Sequence, residues 1–211
     1  MSFGYIGDTS TSVKQQVKNK GILTTQESFD LERQGFLGGS LELIAESNPS
    51  GVNTVDFTDI KENVYDVHFV TLKIALNGAG SVNMQFFESG VLETGSVYQY
   101  AYQNGQATGT FSETKSTAGT RLFATRIGAN GDTRSAYNYL YNLGNSSKYS
   151  FQNMQGVSVN TGTTACDMRF GGGALTQAST VDGIRFTETS GQLLTGTIKL
   201  YGVKQWVIWD Y

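Results

Sequence analysis

The chain has 211 residues, of which 38% are hydrophobic and only 16% charged, with a net charge of −3 at pH 7. One cysteine and one histidine exclude an intrachain disulfide framework, a cysteine-based zinc site and His-cluster metal chemistry. The acidic balance argues against a nucleic-acid-binding surface, and no apolar run reaches the ~20 residues of a membrane span.

From the start, Met1-Ser2-Phe3-Gly4-Tyr5 lacks the basic region and apolar core of a secretory signal. Residues 1–48 then read as a short helical head. Ser10, Thr11 or Ser12 caps a first helix, with Val13 and Val17 four apart on one face and Gly21 as its stop. Thr24 and Glu27 have the spacing of a capping box for a second helix, which carries Phe29 and Leu31 and ends near Gly35. Phe36-Leu37-Gly38-Gly39-Ser40 leads into a strand over Leu41 to Glu46. The apolar stripe Val13, Val17, Ile22, Leu23, Phe29, Leu31, Phe36 and Leu37 is too small to fold alone, since isolated helices under ~12–15 residues are marginal in water. The head must therefore pack on its own body, on a sister subunit or on another protein.

At Asn48-Pro49-Ser50-Gly51 the composition changes, and residues 49–211 read as a β domain. Short alternating runs separated by Gly, Asn, Ser and Thr clusters indicate antiparallel sheet. Val64–Ile74 has Val67 and Phe69 in one phase and Val70, Leu72 and Ile74 in the other, which suggests a bulge or burial on both faces. Val82, Met84 and Phe86 alternate with polar residues, as do Tyr98, Tyr100 and Tyr102. Arg121–Ile127, Tyr137–Leu143, Tyr149–Met154, Cys166–Phe170, Val181–Glu188 and Thr197–Trp209 continue the series. The expected fold is mainly β, an antiparallel jelly-roll-like β-sandwich with a short N-terminal α-helical segment.

The residues alone point to no catalytic chemistry, metal or cofactor. His68 falls in the polar phase of its strand with no nucleophile elbow nearby. Cys166 reads as a small, partly buried hydrophobe. Asp56/Asp59 and Glu88/Glu93 carry no hydrolase signature. Gly128-Ala129-Asn130-Gly131-Asp132 has oxygen ligands for calcium but departs from the EF-hand loop and reads as a turn. Gly171-Gly172-Gly173 reads as a loop, and Asn145-Ser146-Ser147 is a formal glycosylation sequon. Tyr98/Tyr100/Tyr102 and Tyr137/Tyr139/Tyr141 each put three rings on one strand face. Such rings stack on sugars or anchor a protein interface, or else fill the core.

Asp182-Gly183-Ile184-Arg185-Phe186 followed by Gly196-Thr197-Ile198-Lys199-Leu200-Tyr201-Gly202-Val203-Lys204 resembles the closing hairpin of tailed-phage virion proteins. Phe3-Gly4-Tyr5-Ile6-Gly7-Asp8, Val13–Asn19, Asp30–Gly35 and Leu37–Ile44 resemble N-terminal segments of structural proteins of marine phages, especially those infecting cyanobacteria. The resemblance covers the two ends and leaves Val52–Thr180 unmatched. It implies a non-enzymatic virion structural protein, assembled in the bacterial host cytoplasm, without nucleic-acid binding or membrane insertion. The implied protein is a tail- or fibre-associated component or, alternatively, a capsid decoration protein on the head shell. Its head, through Phe3, Tyr5, Ile6, Val13, Val17, Ile22, Leu23, Phe29, Leu31, Phe36 and Leu37, would dock on other virion proteins. Homo-oligomers, commonly trimers, and contact with host surface polysaccharide through the tyrosine sets are implied with it.

Overall fold

The computed structural model describes Gln26 and residues 40–78, 80–127, 133–160, 165–188, 190–191 and 193–204. The chain divides into two compact units, Met1–Ser40 and Leu41–Tyr211, and the second is described here. Gln26 apart, the expected helical head lies outside the described residues, as do all its docking candidates from Phe3 to Leu37.

Among the described residues there are fourteen strands: β1 Leu41–Ser47, β2 Ser50–Val52, β3 Thr54–Phe57, β4 Val67–Leu76, β5 Gly80–Glu88, β6 Val91–Leu92, β7 Tyr98–Gln106, β8 Phe111–Gly119, β9 Leu122–Ile127, β10 Thr133–Tyr141, β11 Ser150–Asn160, β12 Ala165–Leu175, β13 Val181–Thr187 and β14 Leu194–Val203. They form two antiparallel sheets in a sandwich. The nine-stranded sheet has the order β1-β14-β4-β10-β11-β12-β7-β8, with the short β2 also on β14. The five-stranded sheet has the order β3-β13-β5-β6, with β9 on β5. Because β13 pairs with Asn83–Glu88 along one edge of β5, β9 at Gly80–Met84 and β6 at Phe87–Glu88 follow one another along the other.

Eight strands make the two-layer body: β1-β14-β4-β10 in one layer and β3-β13-β5-β9 in the other. Two insertions lengthen only the first layer. β7-β8 come between β5 and β9 in the chain, and β11-β12 between β10 and β13. The core lies between the layers, where Val70, Leu72 and Ile74 of β4 and Ile198 and Leu200 of β14 meet Met84 and Phe86 of β5 and Ile184 and Phe186 of β13. Strand alternation places these positions on one face, so their neighbours in sequence point outward.

The structure chooses between the two expectations for β4, changes that for Gly171–Gly173, and adds a strand that the sequence did not mark. β4 carries no bulge: its registers with β10 and β14 run unbroken, and His68, Val70, Leu72, Ile74 and Leu76 all point inward while Val67 and Phe69 face out. The two apolar phases of the sequence are two clothed faces of one strand. Gly171–Gly173 is no loop but the middle of β12, paired on both sides. There φ at Gly171 is 149°, and a Cβ would sit 2.3 Å from the Ala101 carbonyl oxygen, so glycine lets β7 and β12 approach. Finally, Phe111–Gly119 forms the edge strand β8 although its sequence is mostly polar. Its Glu113 and Lys115 decorate an edge that would otherwise template further pairing.

Candidate functional site

The outward face of the larger sheet brings together residues from strands far apart in sequence. Along it, the registers align Tyr201 of β14, Phe69 of β4 and Tyr139 of β10 in one row. A second row runs Lys199, Thr71, Tyr137, Gln155, Phe170, Gln103 and Glu113, crossing from β14 to β8. Phe69 lies 4.7 Å from Tyr139 and 6.1 Å from both Tyr137 and Tyr201, centroid to centroid, and Tyr139 stacks on Tyr141 at 6.4 Å. Aromatic pairs at these separations stabilise one another beyond the area they bury. The Tyr137 hydroxyl donates to Gln155 Oε1 at 2.8 Å.

Where Thr71, Ser135 and Thr197 present only short side chains, the face sinks into a trough of about 590 Å³. Phe69, Tyr137 and Val157 give it apolar walls, and Lys73, Lys199 and Gln155 give it polar ones. The Lys199 ammonium bonds Glu46 at 3.1 Å. The hydrogen bond it donates to Glu46 holds the lysine above its usual pKa, while Asn48 and then Lys199 hold the Glu46 carboxyl below the usual carboxylate range. The trough therefore offers aromatic rings, hydroxyls, an amide and cations, which together suit a polyhydroxylated ligand.

The two tyrosine sets part company. Tyr137, Tyr139 and Tyr141 line the outward face. Tyr98 and Tyr102, by contrast, are buried between the layers, and Tyr100 is packed against the core, which removes that set from contact with a large ligand. Burial explains their chemistry. Phe86 N donates to the Tyr98 hydroxyl at 3.0 Å, and that hydroxyl donates to the Glu93 carbonyl at 3.2 Å. The Tyr102 hydroxyl donates to Gln152 Oε1 at 2.7 Å and accepts from Phe123 N at 3.3 Å. Desolvation pushes both phenols well above their ordinary pKa. Tyr102 also joins an internal polar network. Gln152 donates to the Phe123 carbonyl and to Asn138 Oδ1, and the buried Arg169 reaches Asn104 Oδ1 at 2.6 Å with its guanidinium 4.9 Å from the Phe123 ring.

The remaining candidates have structural duties. His68 is fully buried, its Nε2 2.7 Å from the Ile60 carbonyl, and burial lowers its pKa, so the ring is neutral. Cys166 is exposed on the outward face of β12, not partly buried, because the alternation of that strand turns it out. Asp56 takes a bidentate pair from Arg185 and Asp59 binds Lys61. Glu88 and Glu93 do come together, but both accept from the one Gln177 amide nitrogen. Asn145 closes its own turn by accepting from Ser147 N. The stretch 128–132, expected to be a turn, lies outside the described residues, and among those described no three His, Cys, Asp or Glu gather as a metal site. No described helix is long and apolar enough to cross a membrane.

Sequence reading paired Tyr137, Tyr139 and Tyr141 but missed Phe69, Tyr201, Lys73, Lys199 and Gln155 as their neighbours. Only the register of β14, β4, β10 and β11 joins them, and no local pattern encodes register between strands so distant. Compared with family models, with curated proteins and with solved structures, the chain matches none.

Proposed function

We propose that this protein is a non-enzymatic structural component of a tailed-phage virion, associated with the tail or a fibre and docked through its N-terminal segment. The observation that carries the reading is the strand order. Numbered along the chain, the eight body strands lie first-eighth-third-sixth in one layer and second-seventh-fourth-fifth in the other. That order supports a jelly roll, an architecture used by viral shell proteins and by lectins. The resemblance of the two chain ends to marine-phage virion proteins adds the attachment role, the homotrimer and the host. A head with too small an apolar stripe to stand alone is suited to plug into a neighbour.

Contact with host surface polysaccharide is a second reading, favoured by the trough beside Phe69 and Tyr137 and its Lys73 and Lys199 rim. Sugar rings stack on such aromatics while hydroxyls and ammonium groups orient them.

Imaging with a specific antibody on intact particles tests the main reading: label on the tail supports it, label on the head shell turns it into capsid decoration, and unlabelled particles refute it. Deleting residues 1–40 leaves β1 whole, so the truncated chain is expected to fold and yet fail to enter particles; normal incorporation would remove the docking role. Glycan binding is checked with host envelope polysaccharide against Tyr137→Ala, which is expected to weaken binding without unfolding the chain.

A further inference from the structure

The two inserted hairpins reverse the usual polarity of a sandwich. At their far ends the inward positions carry Ser158, Asp167 and Arg169, while the outward ones carry Val157, Val159, Met168 and Phe170. The reason is that the second layer ends at β9, which packs across β10, β11 and β12, so among the described residues no strand lies beyond it on the inward side of the extension. A polar network fills that side instead. The apolar residues face the other way.

With Phe111 of β8 and Phe151 of β11, these outward residues are between 41% and 71% exposed. Across the outward positions of β10, β11 and β12 there is no charged residue; the charges stand at the flanks, Lys73 and Lys199 on one side and Glu113 and Lys115 on the other. Charge depletion at the centre, enrichment in aromatics and Met, and a charged rim are the compositional marks of a protein interface. Size agrees. Five strands spaced about 4.8 Å apart and ten residues of about 3.3 Å each span roughly 800 Å², which is what one partner contributes to a standard interface of about 800 Å² per side. Within that area Phe111, Phe151, Val157, Val159, Met168 and Phe170 supply exposed apolar side chains together, where a solvated surface scatters them singly. Beside Phe170, a hollow of about 110 Å³ among Ala101, Gln103, Glu113 and Lys115 offers a socket for a protruding side chain.

We infer that the outward face of β10, β11, β12, β7 and β8 is an interface with a second copy of this chain. Every protomer carries the same face, and a large apolar face is a liability that self-association cancels. The interface stands apart from the virion reading; it takes in the Tyr137, Gln155 and Val157 wall of the trough and leaves its β14 and β4 wall exposed.

The test uses the full chain. Sedimentation velocity from 0.1 to 100 µM is expected to show a concentration-dependent oligomer, and Val157→Lys with Phe170→Glu is expected to raise the dissociation constant about 30-fold or more, the effect of losing an interface hot spot. Val91→Lys, at an exposed site on the smaller sheet, is expected to leave it unchanged, and circular dichroism checks that each variant is folded. Cys166, on the same face and the chain's one cysteine, supplies a second readout. Its reaction with a maleimide is expected to slow as the chain is concentrated, and to lose that dependence in the double variant. A wild type monomeric at 100 µM overturns the inference. So does an oligomer indifferent to the double variant, which would put the contact elsewhere. So too does a thiol equally protected at every concentration, which would mean that the chain covers its own face, or a monomer whose binding to host polysaccharide the double variant abolishes.

Discussion

Tyr98 and Tyr137 carry the same hydroxyl on the same kind of strand, and the sandwich assigns them opposite energetics. Changing Tyr98 to Phe keeps the ring in the core and removes one oxygen. Phe86 N, which donates to it at 3.0 Å, and the Glu93 carbonyl, which accepts at 3.2 Å, then lose their partner. Phe86 lies fully buried in β5, so its N–H has no route to water, and a stranded buried donor costs about 1–3 kcal/mol. The Glu93 carbonyl is nearer the surface and adds little. The expected loss is therefore ~2 kcal/mol, or a melting temperature lower by about 4–8 °C at 2–4 °C per kcal/mol for a chain of this size. Tyr137→Phe removes a hydroxyl that donates to Gln155 Oε1 on the exposed face; water replaces both partners, and the change is expected to stay within about 0.5 kcal/mol.

Urea unfolding followed by tryptophan and tyrosine fluorescence gives both values, with an unchanged denaturant slope marking each as a change in stability. Alkali adds a second signature. Burial raises the Tyr98 and Tyr102 phenols above their unfolded value, so the stability they contribute is complete below about pH 10 and declines as pH rises beyond it. Tyr98→Phe is expected to flatten that decline. Equal losses for the two variants, or a larger one for Tyr137→Phe, would refute the assignment of Tyr98 to the core and Tyr137 to the outer face.

Burial depresses the folded pKa of His68, so its contribution is present above about pH 6.5 and is lost as pH falls below it, by up to ~1.4 kcal/mol per pH unit; His68→Gln is expected to flatten the urea midpoint between pH 7 and 5, and an unchanged slope would assign the effect elsewhere. Gly171→Ala forces a Cβ against the Ala101 carbonyl at a φ of 149° and is expected to cost about 2–4 kcal/mol, whereas Gly109→Ala, strained in φ but with open space around it, is expected to cost about 1 kcal/mol; thermal melts rank the two. Asp56→Asn breaks the bidentate Arg185 pair, which is about one-third exposed on each side, so a loss of ~0.5 kcal/mol that shrinks in 0.5 M salt is expected, and a loss independent of salt would argue against an electrostatic origin.

Much of the β body is legible in the sequence. Val82, Met84 and Phe86 alternate as a strand should, and they form the inward row of β5. Leu41 to Glu46 reads as a strand and pairs with β14. What is missed has physical causes. β8 is held by its hydrogen bonds to β7 rather than by an apolar pattern, so nothing in the sequence marks Phe111–Gly119 as a strand. Gly171–Gly173 reads as a loop, because the need for close approach to β7 and to Leu122 is set by partners remote in the chain. His68 sits in the core phase of β4, where the Ile60 carbonyl partners its Nε2, a contact that hydropathy does not register.

The tyrosine triplets show the limit most clearly. YQYAY at 98–102 and YNYLY at 137–141 are nearly the same pattern, and alternation alone assigns each a face without saying which face is buried. The intervening residues decide it. Between the outward tyrosines of β10 lie Asn138, which bonds the Ala124 carbonyl across the sandwich, and the fully buried Leu140; between the inward tyrosines of β7 lie Gln99 and Ala101, which face out. Leu140 competes for the core better than a tyrosine, whose hydroxyl must be satisfied wherever it is buried. Gln99 and Ala101 offer no such competitor, and Phe86 N and Gln152 stand ready for the Tyr98 and Tyr102 hydroxyls. Orientation of a strand with one aromatic face is thus set by what its other face would have to bury, and in β10 that contest is what leaves an aromatic surface open to a partner.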